Sequence, residues 1–315
     1  MKRAGGPSLA LAIAAGVAAD ALLGDPARFH PVAGFGRTAS ALERWLWRPS
    51  RVRGVVHATT LVVIVAAAAA LLERRLARRT RALLAFRAVA VWTALGGRSL
   101  AREALALAEL LERGELSAAR RRAPALVGRD PSELDERELA RAVVESVAEN
   151  SIDAVVAPLS WAALGGASGV LAYRAVNTLD AMVGHKDSRY RRFGWAAAHL
   201  DDATTWPAAR VGALLAVVAA PAVGGSPREA WRILRRDGGR HPSPNAGRGE
   251  AAFAGALGLR LGGVNRYGER LERRPQLGDG RPPEVADVGR AVRLLVVCSA
   301  LATLLAVGLA WMVER

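Results

Sequence analysis

Four polar clusters in this 315-residue chain combine residue types that can handle phosphate, carboxylate and ammonium groups. The first is GDPARFHPVAGFGR, residues 24–37, in which Asp25 and His30 each precede a proline. Proline fixes its own φ and restrains the residue before it, so a short loop can hold a carboxylate and an imidazole in place. The second is ENSIDAVVAPL, residues 149–159. On a helix Glu149 and Asp153 share a face, with Asn150 beside them. Two like charges there repel unless a cation, such as Mg2+ or a basic substrate group, lies between them. The cluster leads straight into an apolar run, where unpaired carboxylates are expensive.

The third cluster spans residues 173–210 and holds Asn177, Asp180, His185, Lys186, Asp187, Arg189, Tyr190, Asp201 and Asp202. Asn177 and Asp180 are three apart, again one helix face. Among 44 basic residues only Lys2 and Lys186 are lysine. Lysine is a compact point charge whose pKa shifts readily, so its presence at 186 points to a use for the ammonium itself. Asp201-Asp202 reads either as a ligand pair for magnesium phosphate or as the cap of the next helix. The fourth cluster begins at HPSPNAG with His241, Ser243 and Asn245, and continues through LGGVNRYG with Asn265 and Arg266. Glycine-rich loops before helices can cradle phosphate. However, the chain has no GxxxxGK[ST] and no GxGxxG in a βαβ setting, so a nucleotide site does not follow from the loop alone.

The elements that must position these clusters are apolar blocks of near-membrane length. A spanning helix needs about 20 mostly apolar residues. Candidates are residues 8–23, 55–72, 83–95, 154–173, 206–223 and 294–313, with polar loops at 24–54, 98–153, 174–205 and 226–293. Several candidates are interrupted: by Asp20, by Arg87, by Pro158 with Gly165-Gly166, and by Arg210. Lys2 and Arg3 precede the first block without a convincing small-residue cleavage site after it, so it is expected to be a retained span. The stretch from Arg98 to Val147 reads as amphipathic helices, with Gly114 ending one and Asp130 or Ser132 capping the next. The expected fold is therefore all-α: one polytopic membrane helical bundle over residues 1–315, with short, partly broken spans and helical or irregular cytoplasmic loops.

The formal net charge is +15. Basic loops beside apolar spans fit the positive-inside rule, although arginine-rich loops flank residues 55–72 on both sides and one simple crossing cannot satisfy both. The arginines are scattered and accompany no nucleic-acid-binding motif, so a nucleic-acid partner is not expected. The single cysteine, Cys298, excludes an intrachain disulfide or a cysteine-based zinc site.

The motifs GDP…HPV, ENSIDAVVAPLSWAALGG, YRAVNTLDAMVGHKDSRY, FGWAAAHLDD, HPSPNAG and LGGVNRYG resemble, in order and across nearly the whole chain, the CobD/CbiB family of adenosylcobinamide-phosphate synthases. The resemblance implies a membrane enzyme of late cobalamin assembly. Such an enzyme joins an aminopropanol, usually its O-phosphate, to the free carboxylate of adenosylcobyric acid, driven by ATP with Mg2+. It also implies membrane lipid around the protein, a multi-pass place in the cell membrane with the site facing the cytoplasm, and room for other corrinoid-pathway enzymes or an oligomer. On this likeness Glu149, Asp153, Asp180 and Lys186 carry the catalytic work, and Asp201 and Asp202 hold metal. Substrate or nucleotide is met by Asp25, His30, Asn150, Asn177, His185, Arg189, Tyr190, His241, Ser243, Asn245, Asn265 and Arg266. The chain departs from the family pattern where ENSIDA stands for ENTSDG or ENSSDG, where Arg248-Gly249 follows HPSPNAG in place of Trp-Pro, and where a proline before Arg210 is shifted to Pro207. Two other readings are a non-enzymatic membrane sensor of the related AmpE-like type, and a transporter using Asp20, Arg87 and Arg210 as pathway charges.

Overall fold

The computed structural model describes residues 9–26, 30–185, 187–267 and 270–314, without the side chains of 265–271. Lys2, Arg3 and Lys186 lie outside the described residues. Four helical runs are long and apolar enough to cross a membrane: Arg51–Leu76, Glu136–Val183, Trp195–Val223 and Val285–Val313. They contain the expected spans at 55–72, 154–173, 206–223 and 294–313. Their outer faces carry exposed apolar side chains, among them Val63, Ile64, Leu71, Leu304 and Leu305. Apolar surface of this kind is stable against lipid and costly against water.

The other two expected spans are helices of 15 residues each, α1 (Leu9–Leu23) and α4 (Thr80–Ala94). At 1.5 Å per residue such a helix reaches about 22 Å, short of a hydrocarbon layer of roughly 30 Å. They pack against each other instead.

The described chain forms two compact units. One comprises residues 1–96, 157–205 and 302–315. Besides α1 and α4 it contains α2 (Pro31–Leu46), α3 (Arg51–Leu76), α8 (Ala157–Val183), the single turn α9 (Tyr190–Phe193) and the start of α10 (Trp195–Ala219). Ala39, Leu61, Leu179, Val183, Phe193 and Ala196 share its core. Arg87, which interrupts residues 83–95, is not a stray charge here. Its Nε donates to Glu73 Oε1 at 2.7 Å, and both side chains are largely buried. Glu73 also accepts from Ser168 Oγ at 2.9 Å and from the Ala167 N–H at 3.4 Å. The expected break at Gly165-Gly166 explains that last bond: Gly166 has φ 60 and ψ −147. The helical ladder is interrupted there, and the Glu73 carboxylate meets the freed amide.

The second unit comprises residues 97–156 and 206–301. It holds α5 (Gly97–Glu112), α6 (Leu116–Arg122), α7 (Glu136–Ser151), a π-helical turn at Ile152–Val156, α11 (Pro227–Asp237), α12 (Ala246–Leu257) and the first part of α13 (Val285–Val313). Gly114 stands at φ +72 just past α5, as expected. The cap of α7 differs from expectation. Asp130 closes a turn on the Ser132 amide, whereas Asp135 and Glu138 form a reciprocal capping box that satisfies two amides at once. Within the loop expected to be helical or irregular at 226–293, β1 (Leu261–Tyr267) and β2 (Arg270–Leu277) pair antiparallel, with Leu261 opposite Leu277 and Val264 opposite Arg273.

The backbone at Gly166 generates a prediction. A side chain at its φ and ψ is strained, and an added Cβ would sit 3.0 Å from Glu73 Oε1. Gly166→Ala is expected to lower stability by about 1–3 kcal/mol. The thermal midpoint of purified protein in detergent measures this, and an unshifted midpoint would remove Gly166 from the account of the kink.

Candidate active site

In the first unit, the third sequence cluster is drawn together by α8, α9 and α10. Adjacent residues on a helix point about 100° apart, so Asp201 and Asp202 cannot both face one ion closely. The structure separates them accordingly. Asp201 is buried and accepts from Asn177 Nδ2 at 3.3 Å, while Asn177 Oδ1 accepts from Arg174 at 3.2 Å. Asp202 instead acts as a like charge on Asp180, which also feels His185. Asp202 and Asp180 thus lie near enough for their charges to act on each other, and Asn177 pairs with Asp201.

Arg189 and Tyr190 converge on a residue the sequence reading passed over, Glu43. Arg189 Nη2 donates to Glu43 Oε1 at 3.0 Å and the Tyr190 hydroxyl donates at 2.9 Å. The Arg189 guanidinium also lies 5.0 Å from the centre of the Trp47 ring. Burial and the Glu43 carboxylate both push the Tyr190 phenol up, which keeps it a neutral hydrogen donor. Asp187 caps this short turn by accepting the Tyr190 amide at 2.8 Å. His30 Nδ1 accepts the Val32 N–H and so caps α2, with Nε2 3.9 Å from Asp25.

The second unit holds the other two clusters. Here too the organising acid is one the sequence reading missed. Glu145 is buried on α7 between Arg129 and Arg141, and it accepts the Gly262 N–H at 2.8 Å. Arg141 reaches on to the carbonyls of Gly262 and Val264, which fastens the hairpin to α7. The signal was available: Arg141, Glu145, Glu149 and Asp153 recur every four residues along one helix face. Asp153 itself lies in the π turn, whose extra residue per turn rotates it off the strict α register shared with Glu149. Asn150 donates to the Ser146 carbonyl and hydroxyl, at 2.9 and 3.0 Å.

In HPSPNAG, much of the polar chemistry serves the loop's own backbone. His241 Nδ1 accepts the Ser243 N–H at 3.0 Å, and Ser243 Oγ accepts the Asn245 and Ala246 amides at the start of α12. Arg210, tucked 3.9 Å from the Trp206 ring centre, donates to Asn245 Oδ1 at 3.2 Å. It is therefore tied down by the loop. With Nδ1 occupied as an acceptor, the His241 proton sits on Nε2, which has no hydrogen-bond partner. That atom faces Glu250 Oε1, also buried and without a partner, at 3.9 Å. Burial pushes Glu250 well above the usual carboxylate range, reinforced by the charges of Glu145 and Glu149. Burial and Arg274 bring His241 down to about 4. The histidine's neutral N–H form is thus favoured by its burial. Asn265 and Arg266 lie on β1, outside the described side chains. Among the described residues no group of three or more His, Cys, Asp or Glu forms a metal cage.

A family model described as CobD/Cbib protein matches residues 13–295. A protein of Mycobacterium tuberculosis (strain ATCC 25618 / H37Rv) named cobalamin biosynthesis protein CobD is 53% identical over 302 residues, 96% of each chain. The chain belongs to the CobD/CbiB family. Proteins of the same name from Geobacter metallireducens and Chromobacterium violaceum are 44% and 42% identical, covering 91% and 88% of this chain and 92% and 88% of their own. No solved structure matches.

Ile152 and Gly249, where the sequence differs from the pattern expected on the resemblance, touch each other. An added Cβ at Gly249 would lie 2.8 Å from Ile152 Cδ1 and 2.9 Å from the Ala148 carbonyl. The large Ile152 fits because Gly249 has no side chain. Gly249→Ala is expected to cost about 1–3 kcal/mol through overpacking, and measurably less in an Ile152→Ser background. Equal costs in both backgrounds, read from thermal midpoints, would show the two positions to be independent.

His241 gives a second expectation. Its unfolded value is about 6.5, so between pH 6.5 and about 4 the unfolded chain binds a proton that the folded chain does not. Its contribution to stability is lost as pH falls through that window. The stability difference between wild type and His241→Gln should therefore drift against the wild type on acidification, and a constant difference would contradict the buried neutral histidine.

Proposed function

We propose that this CobD/CbiB chain is an ATP-dependent amide ligase. It joins (R)-1-amino-2-propanol, ordinarily as its O-phosphate, to the free carboxylate of adenosylcobyric acid, giving adenosylcobinamide or its phosphate. The observation that carries this reading is the gathering of Asp180, Asp202, Asn177 and Asp201 in the unit that also clamps Arg189 and Tyr190 through Glu43. A carboxylate and an amine do not condense in water without activation. Activation by ATP requires acids for Mg2+, donors for phosphate and an acceptor for the ammonium proton.

The residues present fit the cation. Mg2+ is held through one or two carboxylates together with substrate phosphates, and Asp180 and Asp202 are hard oxygen donors with adjacent charges. When bound, Mg2+ neutralises phosphate charge. Asn177 and Asp201 hold each other and so fix the faces of α8 and α10 that present those acids. Arg189 keeps donors free beyond its bond to Glu43, since its side chain is 55% exposed, and the neutral Tyr190 hydroxyl lies beside it. Lys186, next to His185 and Asp187 in sequence, adds a cation. The site faces the cytoplasm, where ATP is available.

Incubation of the purified full chain with adenosylcobyric acid, ATP and Mg2+, and with either aminopropanol phosphate or free aminopropanol, tests the proposal. The new amide is followed by mass spectrometry, and release of ADP or AMP is measured in the same reaction. Asp180→Asn and Asp202→Asn are each expected to slow product formation by roughly 10²-fold or more. Near-normal rates in alanine variants of Glu149, Asp153, Asp180, Lys186, Asp201 and Asp202 together would reject the assignment.

A further inference from the structure

The helix α11 buries Ala230, Ile233, Leu234 and Asp237 against its own unit, where it packs on α12. Its opposite face presents Arg228, Trp231 and Arg235, all exposed and spaced three and four residues apart. That spacing places them in one stripe. Trp231 is 44% exposed, and the Arg235 guanidinium lies 5.9 Å from its ring centre. The intervening arginines are committed elsewhere: Arg232 pairs with Glu229 and Asp279, and Arg236 with Asp237 and Asp279. Among the described residues no such ion pair is formed by Arg228 or Arg235.

The position of this stripe follows from two span ends. The run Trp195–Val223 stops just before α11 begins. Arg290, near the start of α13, donates to the Val223 carbonyl at 3.1 Å. One candidate span therefore ends where another begins, within a single hydrogen bond. The same place carries a fully buried Asp287 bound by Arg281 and Arg290. Charges gathered where two apolar helices terminate mark the edge of the apolar layer, and α11 starts at that edge. An indole is at home there, half in the acyl region and half in water. Arginines beside it have phosphate groups as their natural partners.

We propose that α11 is an interfacial helix whose Arg228–Trp231–Arg235 stripe binds the phosphate headgroup of an anionic membrane lipid. The two guanidinium groups hold the phosphate and the indole seats the glycerol and upper acyl region. Arg228, Trp231 and Arg235 are not among the residues assigned to the ligase site, so loss of lipid binding and loss of ligase activity are distinguishable.

The test uses the full chain in nanodiscs of phosphatidylcholine alone or mixed with phosphatidylglycerol. The emission of Trp231 is isolated as wild type minus Trp231→Phe. Lipid brominated close to the headgroup should quench that difference signal, and phosphatidylglycerol should strengthen the quenching. Native mass spectrometry of protein extracted from the mixed discs should show phosphatidylglycerol retained on the wild type. Retention should be weakened by roughly thirty-fold in an Arg228→Gln, Arg235→Gln double variant, the loss expected for two arginines at a lipid surface. Phosphatidylcholine retention should be unchanged. Quenching of Trp231 by aqueous iodide in place of the brominated lipid would overturn the proposal, as would equal lipid retention by the double variant. Displacement of the lipid by millimolar inorganic phosphate would likewise overturn it and mark a site for a soluble phosphate.

Discussion

A carboxylate carried into an apolar interior is stable only if a cation and hydrogen bonds accompany it, because the uncompensated charge costs several kcal/mol. Much of this chain's architecture follows from that constraint. Glu73 takes Arg87, Glu145 takes Arg129 and Arg141, Glu43 takes Arg189, and Asp287 takes Arg281 and Arg290. Each pair joins separate segments or fixes a turn, so each also sets the place of a backbone. Arginine suits the task better than lysine, since its planar fork serves several acceptors at once. Arg141 illustrates this, reaching one carboxylate and two carbonyls.

Glu250 shows the other solution to the same constraint. Its nearest cation, Arg274, stands at 3.9 Å, beyond hydrogen-bond range. Burial then favours the protonated form, and the carboxyl faces a histidine that is itself neutral. On the neighbouring helix α7, Glu145 is paired with Arg129 and Arg141. Two acids of the same type thus take opposite electrostatic states within one unit, according to whether an arginine can reach them.

Much of the fold was legible because hydropathy is a long-range average. The blocks at 55–72, 206–223 and 294–313 are apolar over enough residues to announce a span. Residues 8–23 and 83–95 also read as spans, but their helices are 15 residues long. Breaks were legible where glycine carries them, at Gly166. Their compensation was not, because Glu73 lies far from Gly166 in sequence. In the candidate site, the third cluster was visible as a concentration of polar types, whereas its pairing was not. Adjacency made Asp201 and Asp202 look like one ligand set, and helix geometry assigns them to different neighbours. Glu43 was hidden in a stretch that read as a polar loop, and Glu145 in one that read as ordinary amphipathic helix. The hairpin escaped because its strands alternate weakly and β1 carries Gly262-Gly263 at positive φ near its start, a signal closer to loop than to sheet.

The bond between Arg290 and the Val223 carbonyl also bears on how the chain is connected. The segment from Gly224 to Glu284, with α11, α12 and the hairpin, departs from and returns to nearly one point. In topological terms it is a closed excursion inserted between two apolar runs. Closing such a loop costs little more as it grows, so its length is under weak constraint from the spans on either side. Residues can be gained or lost within the excursion while Trp195–Val223 and Val285–Val313 keep their entry points into the apolar layer.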